Sequence, residues 1–246
     1  MDWRNPPAKV KIYVAAIAAA AIFVYAWSLR SVVQSPPAHT LEDWLALVGI
    51  TLVACASSHW VVRIPRTNRW MAVADTLILS VTMVYGIAPG VLANGLFHLV
   101  SYWFTTRKKP MEHRGEMLQW TNVKAAFNLS AGGLYALLYG LAFKTVLPAA
   151  SPSGHQMVLP VVVLAGTYFV VNSGIVNGMM ALAGSGKFWS LWRENLPLVP
   201  LYFLASASGA AIIYFFHRVA GPWAFLLALP ILLVVYYAHL FYNEKY

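Results

Sequence analysis

Six polar side chains, Asp75, Asn94, His98, Asn128, Asn172 and Asn177, stand inside stretches that are otherwise apolar enough to form membrane helices. An acid, an imidazole and four carboxamides can bind a solute by charge and hydrogen bonds, and they are the candidate ligand-binding residues of this chain. Asp75 is the most demanding of them. It sits in "RWMAVADTLILSVTMVYGIAPG" (69–90), about one turn inside an apolar run, where an ionised carboxylate costs roughly 3 kcal/mol by insertion scales. Snorkelling is hard for a side chain with one methylene. Pairing inside a bundle suits it best, and Asn128, His59 and Lys124 lie at comparable depth. The expectation is that Asp75 faces inward and bonds to the span that carries Asn128. The plainer role for each amide and histidine is to join helices, at about 0.6 kcal/mol per hydrogen bond.

Short motifs that would indicate other chemistry fail on spacing. "AGSGKF" (183–188) lacks both the first glycine of a phosphate loop and the hydroxyl residue after its lysine. "NLS" at Asn128 matches a glycosylation acceptor but falls in a span. "MEHRGE" (111–116) has the wrong order for a zinc helix. His98 and Asp75 alone do not identify a nucleophile. His59 with His239 would be the pair for a haem, with nothing else in its favour. No catalytic residue, metal ligand or cofactor is indicated.

Those residues need a membrane frame to hold them. The chain has 246 residues, 60% hydrophobic and 10% charged, far below the charge density that covers a soluble domain. It reads as one integral membrane domain, 1–246, with no room for a second soluble domain of ordinary size. One cysteine, Cys55, excludes an internal disulfide. The basic, then apolar, start continues to about Leu29, longer than a signal peptide core, and reads as the first span.

At about 20 residues per crossing, eight spans are expected, near 11–30, 43–62, 70–87, 89–105, 122–147, 157–183, 196–217 and 222–242. The fold class is therefore all-α, a polytopic helical bundle. The third and fourth spans are separated only by "IAPG", with Pro89 starting the second; a re-entrant hairpin is the alternative. With an even number of spans, one side holds Arg4, Lys9, Lys11, Arg63, Arg66, Arg69, Arg107, Lys108, Lys109, Arg114, Lys124, Lys187, Arg193 and Lys245. The other keeps Arg30, Lys144 and Arg218. The positive-inside rule then places both termini in the cytoplasm, and the net charge of +9 needs no nucleic acid to explain it. Gly174 and Gly178 form a small-residue pair suited to close helix packing.

Several segments together carry a resemblance: "VADTLILSVTMVYGIAPGVLANGLFHLVSYW", "AAFNLSAGGLYALLYG" and "GTYFVVNSGIVNGMMALAGSGKFWSLWRENL". This set resembles the multispan N-terminal membrane region of bacterial signalling proteins whose cytoplasmic part is an HD-GYP phosphodiesterase or a GGDEF diguanylate cyclase. The shared features are an acid early in the third span, "FN" with a serine two places on, and an aromatic-rich segment before a Gly/Trp loop. They cover about 40–246. The sequence ends at Tyr246 without the catalytic domain, so neither activity carries over. What the resemblance implies is a membrane sensor or ligand-binding module of the bacterial inner membrane, multi-pass, with an unidentified small-molecule or lipid ligand. Membrane lipids and a homo-oligomer or larger membrane complex are the compatible partners. A small-solute carrier or transporter subunit is the alternative, since it would also want inward-facing Asn, Asp and His. A membrane enzyme acting on a lipid is the third.

Overall fold

The computed structural model describes residues 6–38, 40–59, 61–63, 70–72, 74–107, 114–147 and 154–226, with 230, 233, 234 and 237 beyond them. The first helix, α1 (Ala8–Gln34), shows why the chain folds as a bundle. Its buried residues, Val10, Val14, Ile17, Ala21, Val24 and Ser28, recur at alternating spacings of four and three. That seam faces α5 and α4, as in a coiled coil. The opposite face is also apolar, with Ile12, Phe23 and Val33 each more than two-thirds exposed. A helix that is apolar all round is built for lipid on its free side.

Seven more helices follow: α2 (Leu41–Ala56), α3 (Ala74–Tyr85), α4 (Ile87–Arg107), α5 (Arg114–Val146), α6 (Val158–Leu182), α7 (Phe188–Asn195) and α8 (Val199–Ala220). Among the described residues, four segments are long and apolar enough to cross a membrane: Ala8–Gln34, Asn122–Val146, His155–Leu182 and Val199–Ala220. They mark the chain as a membrane protein. The eight helices among the described residues are not the eight expected. The short α7 falls where the sequence suggests a Gly/Trp loop, and the span expected at 222–242 lies largely outside the described residues.

Two expected spans are shorter than their apolar runs. The second ends at Ala56, where a 3₁₀ turn (Ser57–His59) leads into a strand, β1 (Val61–Arg63). Its partner β2 (Trp70–Ala72) pairs antiparallel, Val62 opposite Met71, so the expected all-α bundle carries a two-stranded ribbon at one end. The third is reduced to the 12 residues of α3, about 18 Å at 1.5 Å per residue. The β-branched "WVVR" run explains the difference: these residues fit a strand as well as a helix. At the other end of α2, Thr40 and Asp43 form a reciprocal capping box, which fixes where that helix starts.

α3 and α4 do form the expected tight hairpin. The break comes at Gly86, whose φ of +98° suits glycine, and Pro89 sits in the first turn of α4, where its missing N–H has no partner to lose.

α5 is the centre of the larger core, packed against α1, α4 and α6, while α3 packs against α2, α4 and α8. Alternate ends meet. The Tyr13 hydroxyl near the start of α1 donates to the Ile175 carbonyl near the end of α6, at 3.0 Å. The end of α1, the α3–α4 turn and the end of α5 converge on one cavity at the opposite end. The helices therefore run up and down in succession, with Lys9, Lys11 and Lys187 at one end and Arg30, Lys144 and Arg218 at the other.

Candidate functional site

Asp75 lies in the first turn of α3, a helix with nine of its residues from Ala74 to Met83 buried. Because α3 lies beside α8, the carboxylate meets α8 first. The Tyr202 hydroxyl donates to Asp75 Oδ2 at 2.5 Å, and Tyr168 of α6 makes a second side-chain hydrogen bond to the same carboxylate. The expected partner on α5 is not the one formed. α3 touches α5 only sparsely, Asn128 is half-buried two turns before Tyr135, and Lys124 is exposed. The side chain of His59, the other expected partner, lies outside the described residues. Asp75 itself is half-buried.

From Tyr168 the polar chain continues across the bundle. Tyr135 and Tyr139 sit one turn apart on α5, on the same face, and both are buried. Their rings lie 4.9 Å and 5.1 Å from that of Tyr168, and the Phe203 ring lies 4.2 Å from it on the other side. Tyr135 makes side-chain hydrogen bonds to Tyr168 and to Asn94. Its hydroxyl is 2.8 Å from His98 Nε2, and Tyr139 bonds to Thr82 of α3. Asn94 also donates to the Gly132 carbonyl of α5, at 3.0 Å. Position 132 must be glycine for this to fit, because a Cβ there would lie 2.5 Å from the His98 ring.

The sequence candidates thus divide. Asp75, Asn94 and His98 belong to one continuous network running through α3, α8, α6, α5 and α4. Asn177 belongs elsewhere: it is fully buried and accepts a hydrogen bond from Asn195 Nδ2 at 3.2 Å, which ties α7 to α6. Asn128 and Asn172 are half-buried on α5 and α6 and stand outside both groups. The four tyrosines that link the network were not among the sequence candidates. Tyrosine in a membrane protein is usually read as an interfacial anchor. The signal that could have found them is depth, since Tyr135, Tyr139 and Tyr168 sit well inside their spans, and the four-residue spacing of the first two.

Chemically, the network offers one carboxylate, an imidazole and a relay of hydroxyls, each both donor and acceptor. Such a chain fixes the relative positions of five helices and can pass a proton along its length. The rings that carry it are close-packed, so it is a bonded core rather than an open chamber. No known protein family, curated protein or solved structure matches the chain.

Proposed function

We propose that the chain is a membrane-embedded signal-input module of the bacterial inner membrane, multi-pass with both termini cytoplasmic. The observation that carries this reading is the attachment of Asp75. One carboxylate at the start of a buried helix is held by hydroxyls from α6 and α8, so a change at Asp75 changes how three helices sit together. A contact shared by three helices is the kind of element that a signal-transmitting bundle can switch. The Lys/Arg partition supports the orientation, since the cationic end is the one from which α1, α3, α5 and α8 start. The sequence resemblance to the membrane regions of HD-GYP and GGDEF signalling proteins points the same way.

The carrier reading has the same polar groups in its favour, and the packing of Tyr135, Tyr139, Tyr168 and Phe203 weighs against it, since a solute path would have to part these rings. The deciding experiment joins residue 246 to a diguanylate cyclase reporter domain and compares Asp75→Asn and Tyr202→Phe with the parent. A shift in cyclase output at equal membrane expression supports the module. Unchanged output in both variants, with solute uptake by proteoliposomes of the unfused chain, would establish the carrier instead.

A further inference from the structure

Outside the tyrosine network, a cavity of about 380 Å³ lies at the end of the bundle opposite Asp75. Three elements converge on it: the last turns of α1, the α3–α4 turn at Gly86, and the last turns of α5. Ile87 and Phe143 supply apolar wall, Trp27 and Ser31 of α1 form one side, and Lys144 stands at the rim. Among the described residues, none of those lining it is acidic. Trp27 and Ser31 also line an adjoining groove that carries Arg30. Among the described residues, Arg30, Lys144 and Arg218 lie at this end of the bundle; Lys144 lines this cavity and Arg30 the adjoining groove. A lysine in the last turn of a helix is favoured by the helix dipole, which accounts for Lys144 alone. It does not account for an apolar cavity beside it or for the second cation on a neighbouring helix.

We propose that this cavity binds a small amphiphilic anion, its acidic head at Lys144, with Arg30 in the adjoining groove, and its apolar body between Trp27, Ile87 and Phe143. The size is that of a small-molecule site, mostly apolar with a few polar groups to orient the ligand. The same chemistry belongs to a free medium-chain carboxylic acid and to the head and first methylenes of an anionic lipid. The site also touches α3, the transmitting element of the signalling reading: Thr82 and Tyr85 at its end line the cavity, and Asp75 lies in its first turn, about 15 Å away at 1.5 Å per residue. Use of the cavity as the module's input rests on the signalling reading; binding itself does not.

The test is equilibrium dialysis of radiolabelled octanoate against the full chain in nanodiscs of zwitterionic lipid, with empty nanodiscs as the baseline. Saturable binding above that baseline is expected, weakened about tenfold by Lys144→Met and changed less than about threefold by Lys144→Arg, because the arginine keeps the charge-assisted bond. Lys144 is exposed, so neither variant disturbs the core. Octylammonium should not compete. Equal uptake by filled and empty discs, binding unaffected by Lys144→Met, or equal competition by octylammonium would each overturn the proposal. Adding anionic lipid to the discs separates the two sources: lost octanoate binding assigns the site to the bilayer's own lipid, and retained binding assigns it to a free acid. Failure of binding removes this site and leaves the Asp75 reporter experiment to judge the signalling reading.

Discussion

The Tyr202 hydroxyl reaches across from α8 to hydrogen-bond the Asp75 carboxylate of α3, joining residues 127 positions apart. A hydrogen bond to a charged group contributes about 1.5–3 kcal/mol, and here it also keeps the carboxylate from facing apolar surroundings alone. Tyr202→Phe is therefore expected to destabilise the protein by about 1–3 kcal/mol, read as a lower unfolding midpoint in detergent. The Asp75→Asn/Tyr202→Phe double variant should show a coupling of at least about 0.5 kcal/mol. Strict additivity would mean that the two side chains do not depend on each other.

A second expectation concerns two glycines with opposite surroundings. At Gly132 a Cβ would fall 2.5 Å from the His98 ring, whereas at Gly166 nothing lies within 4 Å. Gly132→Ala should cost about 1–3 kcal/mol by overpacking and loosen the His98–Tyr135 contact. Gly166→Ala should stabilise α6 by about 0.5–1 kcal/mol, because helix interiors favour alanine. If both variants melt alike, the close approach of α4 to α5 at this point is wrong.

The contrast between these sites shows what the sequence made legible. Apolar runs announce helices, but the seam of α1 from Val10 to Ser28 does not show in the spacing, because the opposite face is apolar too. The cost of burying Asp75 could be read from one stretch. Its partner could not, because depth along a helix says nothing about which helix lies alongside: Asn128 and Tyr202 are both at suitable depth, and only the packing of α3 against α8 selects Tyr202. The β1–β2 ribbon and the eight-residue α7 were hidden for another reason. Each is too short for hydrophobic periodicity to rise above the apolar background of its neighbours.

The attachment of α7 yields a third expectation. Asn195 Nδ2 bonds both Asn177 Oδ1 and the Leu191 carbonyl, and Trp192 packs edge-on against Phe169 of α6. Asn195→Leu removes the donor and leaves the buried Asn177 amide short of its partner, at a cost of about 1–3 kcal/mol. Limited proteolysis checks it: cleavage between Gly184 and Leu198 should quicken in the variant while the rest of the bundle stays protected. Unaltered cleavage there would show that the aromatic contacts alone hold α7.

The last expectation tests sidedness with thiol chemistry. Cys55 is buried and is the chain's single cysteine, so it should react slowly with a membrane-impermeant maleimide in intact cells. Ser35, after the end of α1, and Ser185, after the end of α6, are both exposed and lie at opposite ends of the bundle. The Lys/Arg partition puts Ser35 outside and Ser185 in the cytoplasm. Ser35→Cys should therefore label in intact cells, and Ser185→Cys only after the membrane is permeabilised. Labelling of Ser185→Cys alone in intact cells would invert the orientation and place Asp75 towards the outer face. Labelling of both would break the up-and-down order of the helices, and with it the separation of the anion cavity from the tyrosine network on which a signal carried along α3 depends.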